Sequence, residues 1–194
     1  MSILLTNRAT IVDRVIPRSL VADIALVVAG TALTAVAAQL AIPTQPVPFT
    51  FQTLAVLLVG ASLGTVRGAL SMALYALVGA LGLPVFSGAS HGVGVLFGAT
   101  GGFIFGFIVA AALVGYLAEK SWSSNALKMF ASYAIGSIVI YAVGIPVLAG
   151  AAFAGDLKAA AIFMVPFMVW DVVKAVAAGA LLPTAWKLVQ QVKG

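Results

Sequence analysis

The sequence predicts an all-α integral membrane protein, and three observations carry this prediction. Hydrophobic residues make up 63% of the 194 residues and charged residues only 8%, whereas soluble domains carry about 25% charged residues. The mean hydropathy is +1.19. Most Lys and Arg residues lie between long apolar runs, as in the loops of multi-pass proteins. We therefore expect one membrane domain over residues 1–194, with a cytoplasmic segment at 1–19, a six-helix bundle at 20–190 and structured outer loops.

The composition also excludes several classes of function. The chain has no cysteine, so disulfides, thiolate metal sites and cysteine nucleophiles are excluded. Its net charge of +5 comes without a basic patch interleaved with aromatic residues, so no nucleic-acid partner is expected. The acidic residues are scattered and no serine has a base partner. We expect no catalytic activity, no metal and no cofactor.

The first apolar segment, residues 20–42, carries small residues at helical spacing. Ala25 and Ala29 lie four apart, and a second set comprises Gly30, Thr34 and Ala38. Small residues at this spacing allow helices to approach closely in a bilayer. Such a face either packs inside the bundle or docks a partner, and the sequence leaves both open.

A proline-rich segment, Pro43–Gln52, follows. Pro43, Pro46 and Pro48 cannot continue a helix and favour an extended or polyproline-like strip. The strip has no charge, and aromatic residues flank Thr50. These properties suit a lid over a cavity, although a plain connector remains possible.

Two short apolar segments come next, residues 53–63 and 68–83, joined by a tight turn that ends at Arg67. Eleven residues barely cross a bilayer, because a spanning helix needs about 20. We expect the first of these helices either to tilt or to begin earlier, near Phe49.

Residues 84–102 contain six glycines and the single histidine, His91. This much glycine predicts no helix. Irregular, nearly uncharged backbone at membrane depth occurs only where protein buries it or where it lines a cavity. For His91, a solvent-facing or loop-packing role and a ligand contact both remain open.

The fourth and fifth apolar segments, residues 102–118 and 129–149, are separated by a polar loop. The fifth carries a stripe of hydroxyl groups, formed by Ser132, Tyr133, Ser137 and Tyr141. Hydroxyl groups at this spacing are typical of hydrogen bonding between helices.

The last apolar run, residues 159–183, holds two charged residues, Asp171 and Lys174. Their spacing of three places both on one helix face. Charges at mid-membrane depth are costly and normally mark a functional site. A purely structural ion pair that fixes the helix rotation is the alternative.

The positive charges predict the orientation. With six crossings, one side receives eight Lys and Arg residues and the other receives Lys158 alone. Positive residues concentrate on the cytoplasmic side, so both termini are expected there. The eight are Arg8, Arg14, Arg18, Arg67, Lys120, Lys128, Lys187 and Lys193.

Three stretches and the Asp171-x-x-Lys174 pair resemble the BioY family, the biotin-binding S components of energy-coupling factor (ECF) transporters. The stretches are IPTQPVPFTFQTLAVLLVGASLG, RGALSMALYALVGALGLPVFSG and GVLFGATGGFIFGF. The resemblance implies a multi-pass subunit of the bacterial cell membrane, surrounded by lipid, that captures biotin near the outer surface. It further implies partners: a coupling protein and two cytoplasmic ATPase subunits.

The resemblance also implies roles for individual residues. Asp171 and Lys174 are expected to contact biotin, the strip around Pro46, Pro48 and Thr50 to form the lid, and Ala25 and Ala29 to dock the coupling protein. From their residue types, Trp170, Phe86 and Tyr141 are expected to supply apolar walls for the site. The remaining residues expected at the biotin site are Ser87, His91, Gln52 and Phe49. The chain departs from the usual family pattern at Ala99, His91 and Phe103.

One alternative from another class is a self-sufficient, proton-coupled secondary transporter of a small carboxylate-bearing molecule, with Asp171 as the proton site. Such a protein is expected to show inverted repeats and a broken helix at the midplane, and neither is evident in the sequence.

Overall fold

The computed structural model describes residues 10–193, apart from the side chains of residue 186 and residues 188–193. Arg8 therefore lies outside the described residues, as do the side chains of Trp186 and Lys193. The described part contains eight α-helices, two strands and two 3₁₀ turns. Their bounds are α1 Ile11–Val15, α2 Leu20–Gln39, β1 Ala41–Ile42, β2 Phe49–Thr50, α3 Gln52–Leu63, α4 Thr65–Ala80, a turn at Ser87–Ala89, α5 Val93–Leu96, α6 Gly101–Glu119, a turn at Trp122–Ser124, α7 Ala126–Ala152 and α8 Leu157–Lys193.

Six helices correspond to the six predicted apolar segments. In the described residues, four of them, α2, α6, α7 and α8, are long and apolar enough to cross a membrane. Helices α3 and α4 are apolar but have only 12 and 16 residues. At 1.5 Å per residue they span about 18 and 24 Å, against a hydrocarbon core of about 30 Å.

Of the two alternatives for α3, the earlier start near Phe49 is wrong: the helix begins at Gln52, because Phe49 belongs to strand β2. The predicted end of the last helix is also wrong. Helix α8 continues to Lys193 and does not end before residue 186, although Pro166 and Pro183 lie inside it. The other helices begin or end within three residues of the predicted bounds.

Helix α6 forms the centre of the bundle and buries the largest share of its span among the four long helices. Helices α3 and α4 pack against it through glycines. A Cβ atom on Gly60 would lie 2.6 Å from the carbonyl oxygen of Ala111, and one on Gly68 would lie 3.0 Å from the Cα of Gly60. Only glycine allows three backbones to approach this closely.

Arg67 lies in the first turn of α4 and is only 8% exposed, so its predicted position at the end of a tight turn is wrong. Two carboxylates compensate its charge: Asp13 of α1, 2.9 Å away, and Asp23 of α2, 2.8 Å away. Burial raises the pKa of Asp13, but hydrogen bonds from Arg18, Thr10 and Arg67 outweigh it and hold the pKa below its ordinary value. The ion pairs tie α1 and α2 to α4 at one end of the bundle.

The sequence predicted no helix in the glycine-rich stretch between α4 and α6, and this prediction is wrong. The stretch contains the 3₁₀ turn Ser87–Ala89 and the four-residue helix α5. Gly88 has φ +66° and Gly92 φ +93°, a conformation that glycine adopts without cost. These two glycines set the turns on either side of the exposed His91.

The two sets of small residues on α2 lie on different faces. Gly30, Thr34 and Ala38 are buried inside the bundle, with a Cβ on Gly30 falling 2.6 Å from the Ser71 hydroxyl. Ala25 and Ala29 are exposed.

Candidate functional site

A cavity of about 470 Å³ lies beneath the proline-rich segment, with walls from α3, α4, α6, α7 and α8. This volume lies within the range of small-ligand sites, which are mostly apolar with a few placed polar groups. Its aromatic walls are Phe49, Tyr75, Phe86, Phe103, Phe107, Tyr141 and Phe167, and its charged groups are Asp171 and Lys174.

Asp171 and Lys174 form an ion pair inside the bundle. Lys174 Nζ lies 2.8 Å from Asp171 Oδ1, and the two residues are 4% and 6% exposed. Thr53 of α3 donates to the same carboxylate oxygen at 2.8 Å, and Tyr141 of α7 donates to Oδ2 at 2.8 Å. A buried charge is tolerated when it is both paired and hydrogen-bonded, and this carboxylate meets both conditions.

Lys174 uses all of its donors within the protein. An ammonium group has three N–H bonds. Besides Asp171, it donates to Thr53 Oγ1 at 2.9 Å and to the main-chain carbonyl of Thr50 at 2.8 Å. Asp171 Oδ1 is also saturated, by two donors, whereas Oδ2 accepts one hydrogen bond and retains a free lone pair. The free acceptor of this cluster is therefore Asp171 Oδ2.

The proline-rich segment forms a small antiparallel hairpin and not the extended strip that was predicted. Ala41 pairs with Thr50 and Ile42 with Phe49. Inside the hairpin, the Thr44 hydroxyl donates to the Val47 carbonyl at 2.6 Å. Strand pairing occurs because the two ends of the segment are free of proline, so their N–H groups can donate.

Phe49 anchors this hairpin to the last helix. Its ring stacks on Phe167 of α8, with centroids 3.7 Å apart and planes 7° from parallel. Prolines 43, 46 and 48 and residue Thr50 line the cavity. The predicted lid residues therefore lie where a ligand in the cavity would be covered.

Gln52 and Tyr75 supply a second polar group to the cavity. The Tyr75 hydroxyl donates to the Val85 carbonyl at 3.1 Å and accepts from Gln52 Nε2 at 2.8 Å. A carbonyl can only accept, so the single hydroxyl proton points to Val85 and Gln52 must be the donor to Tyr75. With the hydrogen bonds in these directions, Gln52 Oε1 has no partner in the described residues and is available to a donor on a ligand.

Most of the predicted site residues line this cavity: Asp171, Lys174, Phe86, Ser87, Tyr141, Gln52 and Phe49. Trp170 and His91 do not. Trp170 is 42% exposed, and one residue along a helix turns a side chain by about 100° from that of Asp171. His91 is exposed beyond the 3₁₀ turn, with Nδ1 3.4 Å from the Ala89 carbonyl.

Sequence reasoning missed Thr53, Tyr75 and Phe167. For Phe167, the helical period of the last segment gives the signal, because Met164, Phe167, Asp171 and Lys174 follow one another at steps of three and four and all line the cavity. For Thr53 and Tyr75 the sequence gives no such signal, since their partners lie in other helices.

The chain was compared with known proteins. The BioY family model matches residues 7–191. A protein named biotin transporter BioY from Thermotoga maritima is 43% identical over 152 residues, which cover 78% of this chain and 88% of the relative. A protein named probable biotin transporter BioY from Pyrococcus horikoshii is 39% identical, covering 80% of this chain and 91% of the relative.

A solved structure, described as the S-component for biotin from an ECF-type ABC transporter, has the same fold. Its TM-score with this chain is 0.78 at 24% sequence identity, and the match covers 86% of this chain and 92% of that one. The family model matches almost the whole described chain, including every helix and the cavity. This chain belongs to the BioY family.

Proposed function

We propose that this chain is the biotin-binding S component of an ECF-type transporter, which captures biotin at the outer face of the membrane. The observation that carries the proposal is the Asp171–Lys174 ion pair, which lies buried in the wall of an aromatic cavity. The names of the relatives point to the same ligand.

Biotin matches the chemistry of the cavity. It has a ureido ring with two N–H donors and one carbonyl, an apolar bicyclic body and a carboxylate tail. Asp171 Oδ2 and Gln52 Oε1 each have acceptor capacity for a ureido N–H. The rings of Phe86, Phe103 and Phe167 supply apolar surface for the bicyclic body.

A ligand oxygen that reaches Lys174 must replace one of the ammonium's present partners. The most replaceable is the Thr50 carbonyl, because it belongs to the hairpin and not to the ion pair. Binding at Lys174 therefore competes with a hydrogen bond that holds the lid residues. A ligand bound at Lys174 would therefore weaken the attachment of the hairpin, and a firmly attached hairpin would weaken the contact of the ligand with Lys174.

We propose that the exposed face of α2 around Ala25 and Ala29 docks the coupling protein, and that two ATPase subunits complete the transporter. Small exposed residues four apart permit close helix approach. The buried positions of Gly30, Thr34 and Ala38 leave Ala25 and Ala29 as the small-residue face open to a partner.

For the membrane topology we propose six crossings with both termini in the cytoplasm, α3 and α4 being the short ones. Arg67 and its partners Asp13 and Asp23 gather at the end of α4 where that helix begins, together with Arg18, which pairs with Asp13. The hairpin, in contrast, precedes α3, at the opposite end of that helix from the turn into α4. This separation supports a cytoplasmic cationic end and an outer ligand end.

The alternative of a proton-coupled secondary transporter is not favoured. The carboxylate of Asp171 is bonded to Lys174, Thr53 and Tyr141 within the bundle, and the relatives are named biotin transporters. The experiment that tests the proposal is isothermal titration of the detergent-purified chain with biotin. Saturable binding of one biotin per chain is expected, and the absence of binding would reject the proposed function.

A further inference from the structure

Gln39, the last residue of α2, holds the loop that forms one wall of the cavity. Its Nε2 donates to the Phe86 carbonyl at 3.0 Å, and its Oε1 accepts from the Ala89 N–H at 3.0 Å. Nε2 also lies 3.4 Å from the Val85 carbonyl. One side-chain amide thus meets a donor and an acceptor of the same loop, nearly 50 residues further along the chain.

The backbone of this loop needs such a partner. Ala89 has φ +55°, in the left-handed region that residues with a Cβ rarely adopt. The preceding Gly88 is also left-handed, and the loop closes with a hydrogen bond from the Phe86 N–H to the Ser90 carbonyl at 3.1 Å. Gln39 Oε1 binds the N–H of the strained residue itself.

The loop carries ligand-facing groups. Phe86 and Ser87 line the cavity, and the Phe86 ring packs against Gly79 and lies edge-on to Tyr75 at 5.4 Å between centroids. The Val85 carbonyl accepts from Tyr75 as well. Helices α2 and α4 therefore fix the same short stretch of backbone from two sides.

We propose that Gln39 is a positioning residue for the ligand: it fixes the Phe86–Ser87 wall and thereby sets the rate at which the ligand leaves. The proposal rests on the biotin site proposed above. Gln39 lines the cavity and is exposed when the cavity is open, so water then competes for its hydrogen bonds. A ligand that fills the cavity excludes that water, so the amide stabilises the bound state more than the free state.

Two substitutions separate the hydrogen bonds from the bulk of the side chain. Gln39→Met keeps the length and removes both the donor and the acceptor. It is expected to release radiolabelled biotin about tenfold faster than wild type, with an unchanged melting temperature of the ligand-free protein. A wild-type release rate in Gln39→Met would overturn the proposal.

Gln39→Glu adds a pH readout that a merely structural role would not give. An ionised carboxylate only accepts, whereas a protonated carboxyl has one donor and one acceptor, like the amide. An ordinary glutamate has a pKa of about 4.3. The release rate of Gln39→Glu, divided by that of wild type at the same pH, is therefore expected to be high at pH 7.5 and to fall towards one at pH 4.

Gln45→Glu is the matched charge control. Gln45 also lines the cavity, but it makes no side-chain hydrogen bond to the described residues, so it reports the effect of an added charge alone. A rate ratio for Gln39→Glu that equals that of Gln45→Glu at both pH values would overturn the proposal.

Hydrogen exchange of the ligand-free protein tests directly whether Gln39 holds the loop. Hydrogen exchange at the Ala89 amide is expected to be faster in Gln39→Met than in wild type, because Gln39 Oε1 is its acceptor. Equal exchange rates at the Ala89 amide in the two proteins would show that Gln39 does not hold the loop. Failure of the wild type to bind biotin would instead reject the proposed function, so the two failures are distinguishable.

Discussion

Lys174 donates a hydrogen bond to the main-chain carbonyl of Thr50, 2.8 Å away and 124 residues earlier in the chain. The bond joins the buried charge of α8 to strand β2 of the hairpin that covers the cavity. Since the other two donors of Lys174 bind Asp171 and Thr53, the ammonium group holds the ion pair and the hairpin together.

The Tyr141 hydroxyl stabilises the ion pair. Tyr141→Phe removes the donor to Asp171 Oδ2, and a hydrogen bond to a charged group contributes about 1.5–3 kcal/mol. We expect a lower free energy of unfolding and weaker biotin binding, measured by denaturant unfolding in detergent and by calorimetry. Tyr116→Phe is the control, because Tyr116 lies on the exposed surface of α6 and does not line the cavity. Equal losses in the two variants would contradict the role of Tyr141.

We propose that the hairpin limits the escape of the ligand. Replacing Pro46 and Pro48 by glycine makes the loop more flexible, so closing it over the ligand costs more ordering entropy. We expect faster dissociation of radiolabelled biotin and a smaller change in association. Pro17→Gly, in the linker between α1 and α2, is the matched control. Unchanged dissociation in the double variant would remove the hairpin from the mechanism.

We propose the exposed face of α2 as the docking surface for the coupling protein, and a bulky substitution tests it. Ala29→Trp places a bulky side chain on this face, and we expect it to abolish co-purification with the coupling protein while biotin binding is retained. Val109→Trp, at an exposed position of α6, tests whether any bulky lipid-facing residue has the same effect. An intact complex of Ala29→Trp would place the docking face elsewhere.

The bundle could be predicted from the sequence because apolar runs and their breaks follow from local composition. All six apolar segments form helices, and the spacing of Asp171 and Lys174 correctly predicted their contact at 2.8 Å. The two faces of small residues on α2 were also visible as two patterns. Which face is buried could not be predicted, because this depends on Ser71 and other residues of α4.

The errors arose where long-range contacts override local pattern. Arg67 was expected at the end of a tight turn, but it lies in α4, where carboxylates from α1 and α2 compensate its charge and allow it to be buried. Trp170 was expected as an apolar wall of the site, but the cavity is lined by Phe167, one helical turn before Asp171. The partners of Lys174 at Thr50 and Thr53 lie more than 120 residues away, and a single sequence carries no signal for such pairs.

Titration calorimetry of biotin into wild type, Asp171→Asn and Lys174→Ala tests the central claim most directly, with Lys158→Ala, an exposed lysine at the start of α8, as control. A hydrogen bond to a charged group contributes about 1.5–3 kcal/mol, which corresponds to about a ten- to hundredfold change in affinity. We predict tight binding to wild type and to Lys158→Ala, and binding about ten- to a hundredfold weaker in Asp171→Asn and Lys174→Ala. Wild-type affinity in both of these variants would contradict the assignment of the buried pair to the biotin site.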